Sequence, residues 1–360
     1  MKEPVNECLL KLVRAGIYDD ARIVSDFPHL NGAEWEALYE QAKRQTVSGV
    51  ACHALSFLPD EKLPPYTLLL RWVARTHRIE EEYGKMGRNI NHLVGLFRSA
   101  GLHPVLQKGH GVARFYPQPS LRVSGDIDLC FSPEEKEKAD RIIAGKGIGV
   151  HTAPDGSSCY NVNGSDVEHH SSLIRLYSPL HKKRLDRMLA EEGVREAEVA
   201  PGVRATVLSP LCDLLMVNVH IMKHSFGVGI GLRQFCDYAL AYRKLMPEIG
   251  EKKYAESCRQ LGLTRWTDLL HRFVNENLGQ NGEKLPYMSS FNSRTAMKSM
   301  RKMVIEGGNF GLYRRDAEKV KWIRKLGTFS LFLQHSSLWV RIAPSEAIGI
   351  IIRLVRGQVK

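Results

Sequence analysis

The spacing of hydrophobic positions changes twice along the 360-residue chain. Up to about residue 100, apolar residues recur every three or four positions, most clearly over 34–43 and 67–98, which predicts helices. In the middle of the chain the apolar runs are short or alternate with polar residues, which is typical of strands. After Ser209-Pro210 the helical spacing returns. Three regions are therefore expected: helical residues 1–100, a sheet-containing core at 101–208 and helical residues 209–360.

Local signals order the elements of the core. Ser132-Pro133-Glu134-Glu135 predicts a helix start, because serine caps a helix and proline and acids suit its first turn. Asn163-Gly164 predicts a two-residue hairpin turn. Strands are expected at 105–107, 127–131, 147–151, 159–162, 166–173 and 203–207, and helices at 133–144 and in the charged stretch 175–200. Further helices are expected at 210–224, 232–244, 251–261, 265–277, 296–306, 316–326 and 344–356. The predicted fold class is α+β, a small mixed sheet flanked by helical regions on both sides.

Two carboxylates lie one residue apart in the strand Gly125-Asp126-Ile127-Asp128-Leu129. Because side chains alternate between the faces of a strand, Asp126 and Asp128 are expected to point the same way. Two neighbouring like charges are tolerated where a cation lies between them, and carboxylate oxygens suit Mg²⁺ or Mn²⁺. This stretch therefore predicts a divalent-cation site.

A candidate phosphate-binding turn lies shortly before the carboxylate pair in the sequence. Lys108-Gly109-His110-Gly111 follows a short apolar strand and opens a helix. The free N–H groups at such a strand-to-helix turn are able to hold a phosphate. A phosphate-binding turn and metal-binding carboxylates are thus expected on two strands that are close in sequence.

Composition adds limits on the compartment and the partners. The net charge of +12 and the pI near 9.3 favour polyanionic partners such as nucleotides, RNA or acidic lipid, although moderate basicity is ordinary for nucleotide enzymes. The seven cysteines lack a C-x-x-C pair and are odd in number, so we expect no disulfide framework. The start of the sequence lacks the apolar core of a signal peptide, and no apolar run approaches the roughly 20 residues of a membrane span. We expect a cytoplasmic protein without integral membrane association.

The order of these motifs resembles a known superfamily. Lys108-Gly109, Tyr116-Pro117-Gln118-Pro119, Arg122 and the Gly125-to-Leu129 segment follow one another as in an uncharacterised bacterial branch of the DNA polymerase β-like nucleotidyltransferases. The usual turn of that superfamily is Gly-Ser or Gly-Gly, where this chain has Gly109-His110 and a slightly longer spacer. The resemblance implies metal-dependent transfer of a nucleoside monophosphate from a nucleoside triphosphate such as ATP, with release of pyrophosphate. The acceptor, a hydroxyl or amine of a small molecule, protein or RNA, is left open, as is the oligomeric state.

The resemblance also implies roles for particular residues. Asp126 and Asp128 would bridge two divalent ions, and Glu168 would complete the site and accept a proton from the acceptor. Asp166, on the same strand face as Glu168, is the alternative third carboxylate. The expected nucleotide-binding residues are Lys108, Gly109, His110, Arg122 and Gly125. For Arg122, an ion pair that holds the loop before Asp126 is the alternative.

Histidines complete the set of predicted site residues. His170 shares the strand face of Glu168, whereas His169 points the other way, so only His170 is expected in the cleft. His220, Lys223 and His224 lie on the predicted helix after Ser209-Pro210. We expect them at the substrate cleft, with ordinary packing or a His220–His224 metal pair at i, i+4 spacing as alternatives.

Other functions also remain open from the sequence. One is an inactive nucleotide- or RNA-binding module, and another is an RNA-modifying protein suggested by the positive charge. A third is a metal-dependent hydrolase built on His220, His224 and Glu168. The basic final helix is expected to dock on the core, and binding of RNA or an acidic membrane surface is its alternative.

Overall fold

A mixed seven-stranded sheet, with strand order β3-β4-β5-β2-β1-β7-β6, carries the site residues and is flanked by helices from both ends of the chain. The computed structural model describes residues 3–153, 155–226, 230–279, 284–307 and 339–355. The predicted helix over 316–326 and the basic residues Arg356 and Lys360 lie outside the described residues. The predicted α+β fold class is confirmed.

The strands are β1 (Val105–Gln107), β2 (Asp126–Cys130), β3 (His151–Thr152), β4 (Ser158–Val162), β5 (Ser165–His170), β6 (Val194–Ala200) and β7 (Val203–Leu208). The helices before and within the sheet are α1 (Glu3–Tyr18), α2 (Gly32–Arg44), α3 (Ser48–His53), α4 (Tyr66–Ser99), α5 (Gly109–Ala113), α6 (Pro133–Gly145) and α7 (Pro179–Glu192). Those after the sheet are α8 (Pro210–Phe226), α9 (Leu232–Ile249), α10 (Glu251–Gln260), α11 (Thr264–Asn277), α12 (Arg294–Gly307) and α13 (Pro344–Val355). Short 3-10 helices occur at Ala21–Val24, Ala54–Phe57, Asp60–Lys62 and Pro119–Leu121.

Two local predictions are confirmed in detail. Helix α6 begins at Pro133 after the Ser132 cap, and the Ser132 hydroxyl and the Glu135 carboxylate form a reciprocal capping box. Strands β4 and β5 pair antiparallel with Val162 opposite Ser165, so their loop is Asn163-Gly164. Both loop residues have positive φ (50° and 75°), as the favoured two-residue hairpin turn requires.

Two stretches of the prediction are wrong. The strand expected at 147–151 is only the short β3, His151–Thr152, and residues 148–150 form no regular structure. Residues 175–200 were expected to be helical, but helix α7 ends at Glu192 and residues 194–200 form β6 at the edge of the sheet. Strand β6 pairs antiparallel with β7, beginning with Val194 opposite Leu208. Two of its three exposed residues, Glu196 and Glu198, are charged, as is common for an edge strand, and this charge hid the alternation.

The two faces of the sheet bury different layers. Ile127, Leu129 and Val167 point to one face and pack with residues of α4 and α6, including Phe97 and Ile143. The opposite face carries Asp128 and lies beside α7 and α8. Strand alternation therefore separates an apolar layer from a polar one along the same two strands.

The helices from the two ends of the chain share one core. Buried residues of α1 to α3, such as Leu12, Trp35 and Val50, belong to the same cluster as Leu215, Phe235 and others from α8 to α12. All seven cysteines lie in the described part of the chain, and none is disulfide-bonded. Within the described residues, no helix has both the length and the apolar character needed to cross a bilayer.

Candidate active site

The candidate site forms where β2 and β5 run side by side. These strands pair in parallel, with Asp126 opposite Asp166, Asp128 opposite Glu168 and Cys130 opposite His170. Paired residues of neighbouring strands point to the same face of a sheet. The register therefore gathers acidic and imidazole side chains on one face.

Three side chains of this face converge closely enough to hold one metal ion. One potential ligand atom each from Asp128, Glu168 and His170 lies within 4.8 Å of the other two. The Nε2 atom of His170 lies 2.7 Å from Asp128 Oδ1 and 3.5 Å from Glu168 Oε2. The second oxygen of Asp128, Oδ2, is buried and has no hydrogen-bond partner among the described residues. An unsatisfied buried carboxylate oxygen inside a set of potential ligands is the arrangement expected where a cation binds.

The observed group overlaps the predicted triad without matching it. Asp128 and Glu168 belong to both, but the third member of the observed group is His170. Asp126 lies one pleat earlier on the same face, half-buried. The rival carboxylate, Asp166, is exposed and accepts a hydrogen bond of 2.9 Å from the side chain of Asn161. Glu168 is therefore the β5 carboxylate that the structure brings to Asp128.

A strained turn brings a lysine to the carboxylates. Lys108 has φ 43° and ψ −144°, and Gly109 after it has φ 37°. Such a backbone is costly for a non-glycine residue and is often found at functional sites. A Cβ atom at Gly109 would lie 3.2 Å from the main-chain oxygen of Asp126, so glycine also permits the close approach of the turn to β2. The Lys108 ammonium donates to Asp128 Oδ1 at 2.9 Å.

The charges of this cluster shift each other's pKa values. Burial alone would raise the pKa of Asp128, but the neighbouring Lys108 and His170 hold it below its usual range. The negative charge of Asp128, with burial second, raises the pKa of Asp126 to about 6. The pKa of Lys108 is raised, because the nearby carboxylates outweigh the opposing effect of burial. The site is thus a crowded set of acids balanced in part by one ammonium group.

His110 directs its side chain away from this cluster. Its ring stacks on the ring of Tyr83, with centroids 4.2 Å apart, and its Nε2 group donates to the main-chain oxygen of Tyr83 at 2.9 Å. Burial lowers the pKa of His110 to about 4, so the ring is neutral near pH 7. Only the main chain of His110 belongs to the strained turn. Gly125, also predicted at the nucleotide, is exposed just before Asp126, and a Cβ there would meet nothing within 4 Å.

Arg122 is engaged in a buried ion pair. Its Nε and Nη2 groups each donate to one oxygen of Asp237 at 2.7 Å, and Tyr116 donates to the same carboxylate. The Nη1 group of Arg122 donates to the hydroxyl of Ser124 at 3.1 Å. These bonds anchor the loop that leads to Asp126, which is the alternative that the sequence left open for Arg122.

Helix α8 brings two imidazoles near the lysine turn. The rings of His220 and His224 lie 4.3 Å apart by their centroids. Burial and then the charge of Lys108 lower the pKa of His224 to about 3. Burial, followed by the neighbouring His224 and Lys108, lowers the pKa of His220. Neither histidine belongs to a group of three metal-ligating side chains within the described residues. Lys223, on the same helix, places its ammonium 5.9 Å from the ring centre of Tyr177.

Sequence reasoning assigned His170 to the substrate cleft and missed its contact with Asp128. The signal was present, because alternation already placed His170 on the face of Glu168. What was missing was the register of β5 against β2. The buried partner of Arg122, Asp237, was also missed, since the two residues are 115 positions apart.

The fold and site together define an α+β protein with a candidate divalent-cation site between two parallel strands and a lysine turn beside it. Over residues 31–279, well over half of the chain, the sequence matches the family described as "Uncharacterised nucleotidyltransferase", and the chain belongs to that family. The matched range includes Lys108, Asp128, Glu168 and His170. No curated protein and no solved structure shows significant similarity to the chain.

Proposed function

We propose that this protein is a Mg²⁺- or Mn²⁺-dependent nucleotidyltransferase of the DNA polymerase β-like type, which transfers a nucleoside monophosphate from a nucleoside triphosphate to a hydroxyl or amine acceptor. The observation that carries the proposal is the convergence of Asp128, Glu168 and His170 beside the Lys108 turn. Family membership and the motif order from Lys108 to Leu129 support the reaction class.

The side chains fit the metal. Asp128, Glu168 and His170 would hold the ion, and the orphaned Asp128 Oδ2 offers a further ligand atom. Two carboxylates suit Mg²⁺ or Mn²⁺, and the imidazole favours Mn²⁺ within that pair. Asp126, on the same face, would join them when its proton is lost. A divalent ion bound there would polarise the α-phosphate and lower the pKa of the attacking group.

The reaction balances without a further reagent. The acceptor oxygen or nitrogen forms a bond to the α-phosphorus, the bond from that phosphorus to the bridging oxygen of pyrophosphate breaks, and pyrophosphate leaves with the electron pair. Glu168 is our assignment for the group that receives the acceptor proton, because it is the half-buried carboxylate beside Asp128. Cytoplasmic ATP is one donor that such a site would accept.

The residues of the turn would bind the triphosphate. The Lys108 ammonium stands next to the carboxylates and would contact the β- and γ-phosphates as a compact charge. The N–H groups of Gly109 and His110 would face the same phosphates. Arg122, held by Asp237, would act by positioning the loop and Gly125 ahead of Asp126. His220, Lys223 and His224 would border the cleft from α8.

The test measures binding and chemistry separately. Thermal unfolding with ATP, CTP, GTP or UTP, each with Mg²⁺ or Mn²⁺, should show stabilisation by at least one cation–nucleotide pair. Pyrophosphate release with a panel of alcohols, amines, protein and RNA should then follow, and a chelator should stop it. Stabilisation without pyrophosphate release from any acceptor would favour a nucleotide-binding module instead.

A further inference from the structure

A pocket of about 650 Å³ opens at the end of β2, and its lining includes Cys130, two residues after Asp128 of the carboxylate cluster. We propose that this pocket binds the acceptor, and that the acceptor is a small alcohol or amine bearing a carboxylate or phosphate group that Arg175 holds. The inference rests on the proposed nucleotidyltransferase function and names the class of its second substrate.

The position of the pocket follows from strand geometry. Cys130, which lines it, is two residues after Asp128 on the same face of β2, so the two lie about 6 to 7 Å apart along the strand. Val105, opposite Cys130 on β1, lines the pocket as well. A ligand in the pocket therefore lies on the same face of the sheet as the cluster.

The pocket and the lysine turn lie at opposite ends of β2. Gly109 approaches the main-chain oxygen of Asp126, the first residue of the strand, whereas the pocket begins at Cys130, the last. Asp128 and its partner Glu168 lie between them. In-line transfer needs the attacking and leaving groups on opposite sides of the reacting phosphorus. A triphosphate at the turn and an acceptor at the pocket meet that requirement.

The size and lining of the pocket suit a small polar molecule. Its volume is within the range of small-molecule sites. A pocket of this size cannot enclose a folded protein or an RNA helix. One wall is the segment after β5, including the hydroxyls of Ser171 and Ser172, and the other is α7 with Leu189. The hydroxyls supply hydrogen bonds for a sugar-like or polyol acceptor.

The charges of the lining point to an anionic group. Lys182 is paired with Asp186, and the Asp155 carboxylate accepts bonds from the N–H and hydroxyl groups of Ser157. The Nη1 and Nη2 groups of Arg175 instead each donate a hydrogen bond of 3.3 Å to the main-chain oxygen of Asp155. No carboxylate of residues 3–153, 155–226, 230–279, 284–307 or 339–355 forms an ion pair with Arg175. A guanidinium without a carboxylate partner in a polar pocket is suited to gripping a carboxylate or phosphate in two places.

The experiment compares matched acceptors. Transfer from a labelled nucleoside triphosphate is measured with glycerol, glycerate and glycerol 3-phosphate, which differ in the anionic group. The wild-type protein should prefer the anionic acceptors by at least about tenfold in kcat/KM, as expected for a charged hydrogen bond. Arg175→Gln should abolish that preference with a nucleotide KM within about twofold of wild type, and Arg175→Lys should retain part of it.

Arg187→Gln serves as the matched control, because Arg187 is exposed on α7 and does not line the pocket. Melting temperatures of all variants show whether Arg175→Gln folds. Equal preference for neutral and anionic acceptors, or an Arg175→Gln variant that behaves like Arg187→Gln, overturns the proposal. A rise in nucleotide KM alone would assign the pocket to the nucleotide instead. Absence of transfer by the wild-type protein with every acceptor would overturn the proposed function, and the acceptor assignment with it.

Discussion

The two faces of the sheet each carry a lysine, an aspartate and a histidine in contact, yet the two sets differ in how completely they are bonded. The set on the helix α6 face is Lys136, Asp140 and His169, and the set on the opposite face is Lys108, Asp128 and His170. His169 and His170 are neighbours on β5, so strand alternation alone assigns them to different sets.

The α6 set is closed. Asp140 Oδ1 accepts from His169 Nδ1 at 2.7 Å, and Asp140 Oδ2 accepts from Lys136 and Ser158. The remaining ring nitrogen of His169 accepts from the hydroxyl of Tyr160 at 2.7 Å. Burial opposes ionisation of Asp140, but these hydrogen bonds lower its pKa to about 2. Every polar atom is used within the protein, which is the mark of a structural network.

The other set is open. Lys108 and His170 both contact Oδ1 of Asp128, and Oδ2 has no partner within the described chain. Asp126 on the same face has a raised pKa, the sign of unrelieved repulsion. The same three residue types thus build a closed network on one face and a candidate binding site on the other. The two sets differ in whether all of their polar side-chain atoms have hydrogen-bond partners.

The largest expected effect comes from removing one aspartate from each set. Asp128→Asn should lower nucleotidyl transfer by about a thousandfold or more, because an ion that supplies several kcal/mol of charge stabilisation is lost. Asp140→Asn should lower the melting temperature while the folded protein keeps its activity. Labelled-nucleotide transfer and calorimetric unfolding, measured on both variants, check this. Full transfer by a folded Asp128→Asn variant would remove the site assignment.

The next largest difference is expected between variants of Lys108 and Lys136, the lysines of the two sets. Lys108→Ala should raise the KM for the nucleoside triphosphate by about tenfold or more, because a charged contact to phosphate is lost, and should change the acceptor KM less. Lys136→Ala, on the closed set, is the control and should leave both constants near wild type. Steady-state kinetics with each substrate varied in turn check the prediction. Equal rises in both constants for Lys108→Ala would indicate a structural role for this lysine.

The histidines test the metal preference. His170→Ala should weaken Mn²⁺ binding by about tenfold, and Mg²⁺ binding less, since imidazole is a better ligand for the transition metal. His169→Gln should lower stability but leave Mn²⁺ affinity unchanged. Paramagnetic resonance of free Mn²⁺ and competition by Mg²⁺ measure both affinities. A similar loss for the two ions would exclude His170 as a direct ligand.

The smallest effect concerns pH. The pKa of Asp126 in the folded protein, about 6, exceeds its usual value of 3.8, so the folded state holds a proton that the unfolded chain has released. Stability therefore falls as pH rises from about 4 to 6, and the penalty persists above that window. With a chelator present, the melting temperature of Asp126→Asn should be about 2 °C above that of wild type at pH 7.5. Near pH 4 the two melting temperatures should be equal.

The contribution of Asp140 to stability should change with pH in the opposite direction to that of Asp126. Its folded pKa of about 2 lies below the usual 3.8, so its contribution to stability is present above about pH 4 and is lost as pH falls towards 2. Calorimetric melting over pH 2 to 8 of wild type, Asp126→Asn and Asp140→Asn separates the two. A wild-type-like pH profile for Asp126→Asn would show that the repulsion within the open set is relieved in the folded protein.

The sequence by itself determined what depends on neighbours along the chain. The Ser132-Pro133 helix start and the Asn163-Gly164 hairpin were predictable, because capping and turn chemistry act within four residues. Alternation also determined that His169 and His170 face opposite ways. Strand β6 was missed because its charged residues resemble a helix surface until the pairing with β7 is known.

Only the tertiary structure decided what depends on strand register and on distant partners. Helix α6 and strands β3 and β4 lie between β2 and β5 in the chain. A shift of two residues in their pairing would have set Asp166 opposite Asp128 in place of Glu168. The pairing of Arg122 with Asp237 likewise depends on how α9 packs against the loop before β2. Periodicity indicates which face a side chain occupies. Which side chains meet on that face depends on packing between segments far apart in the chain.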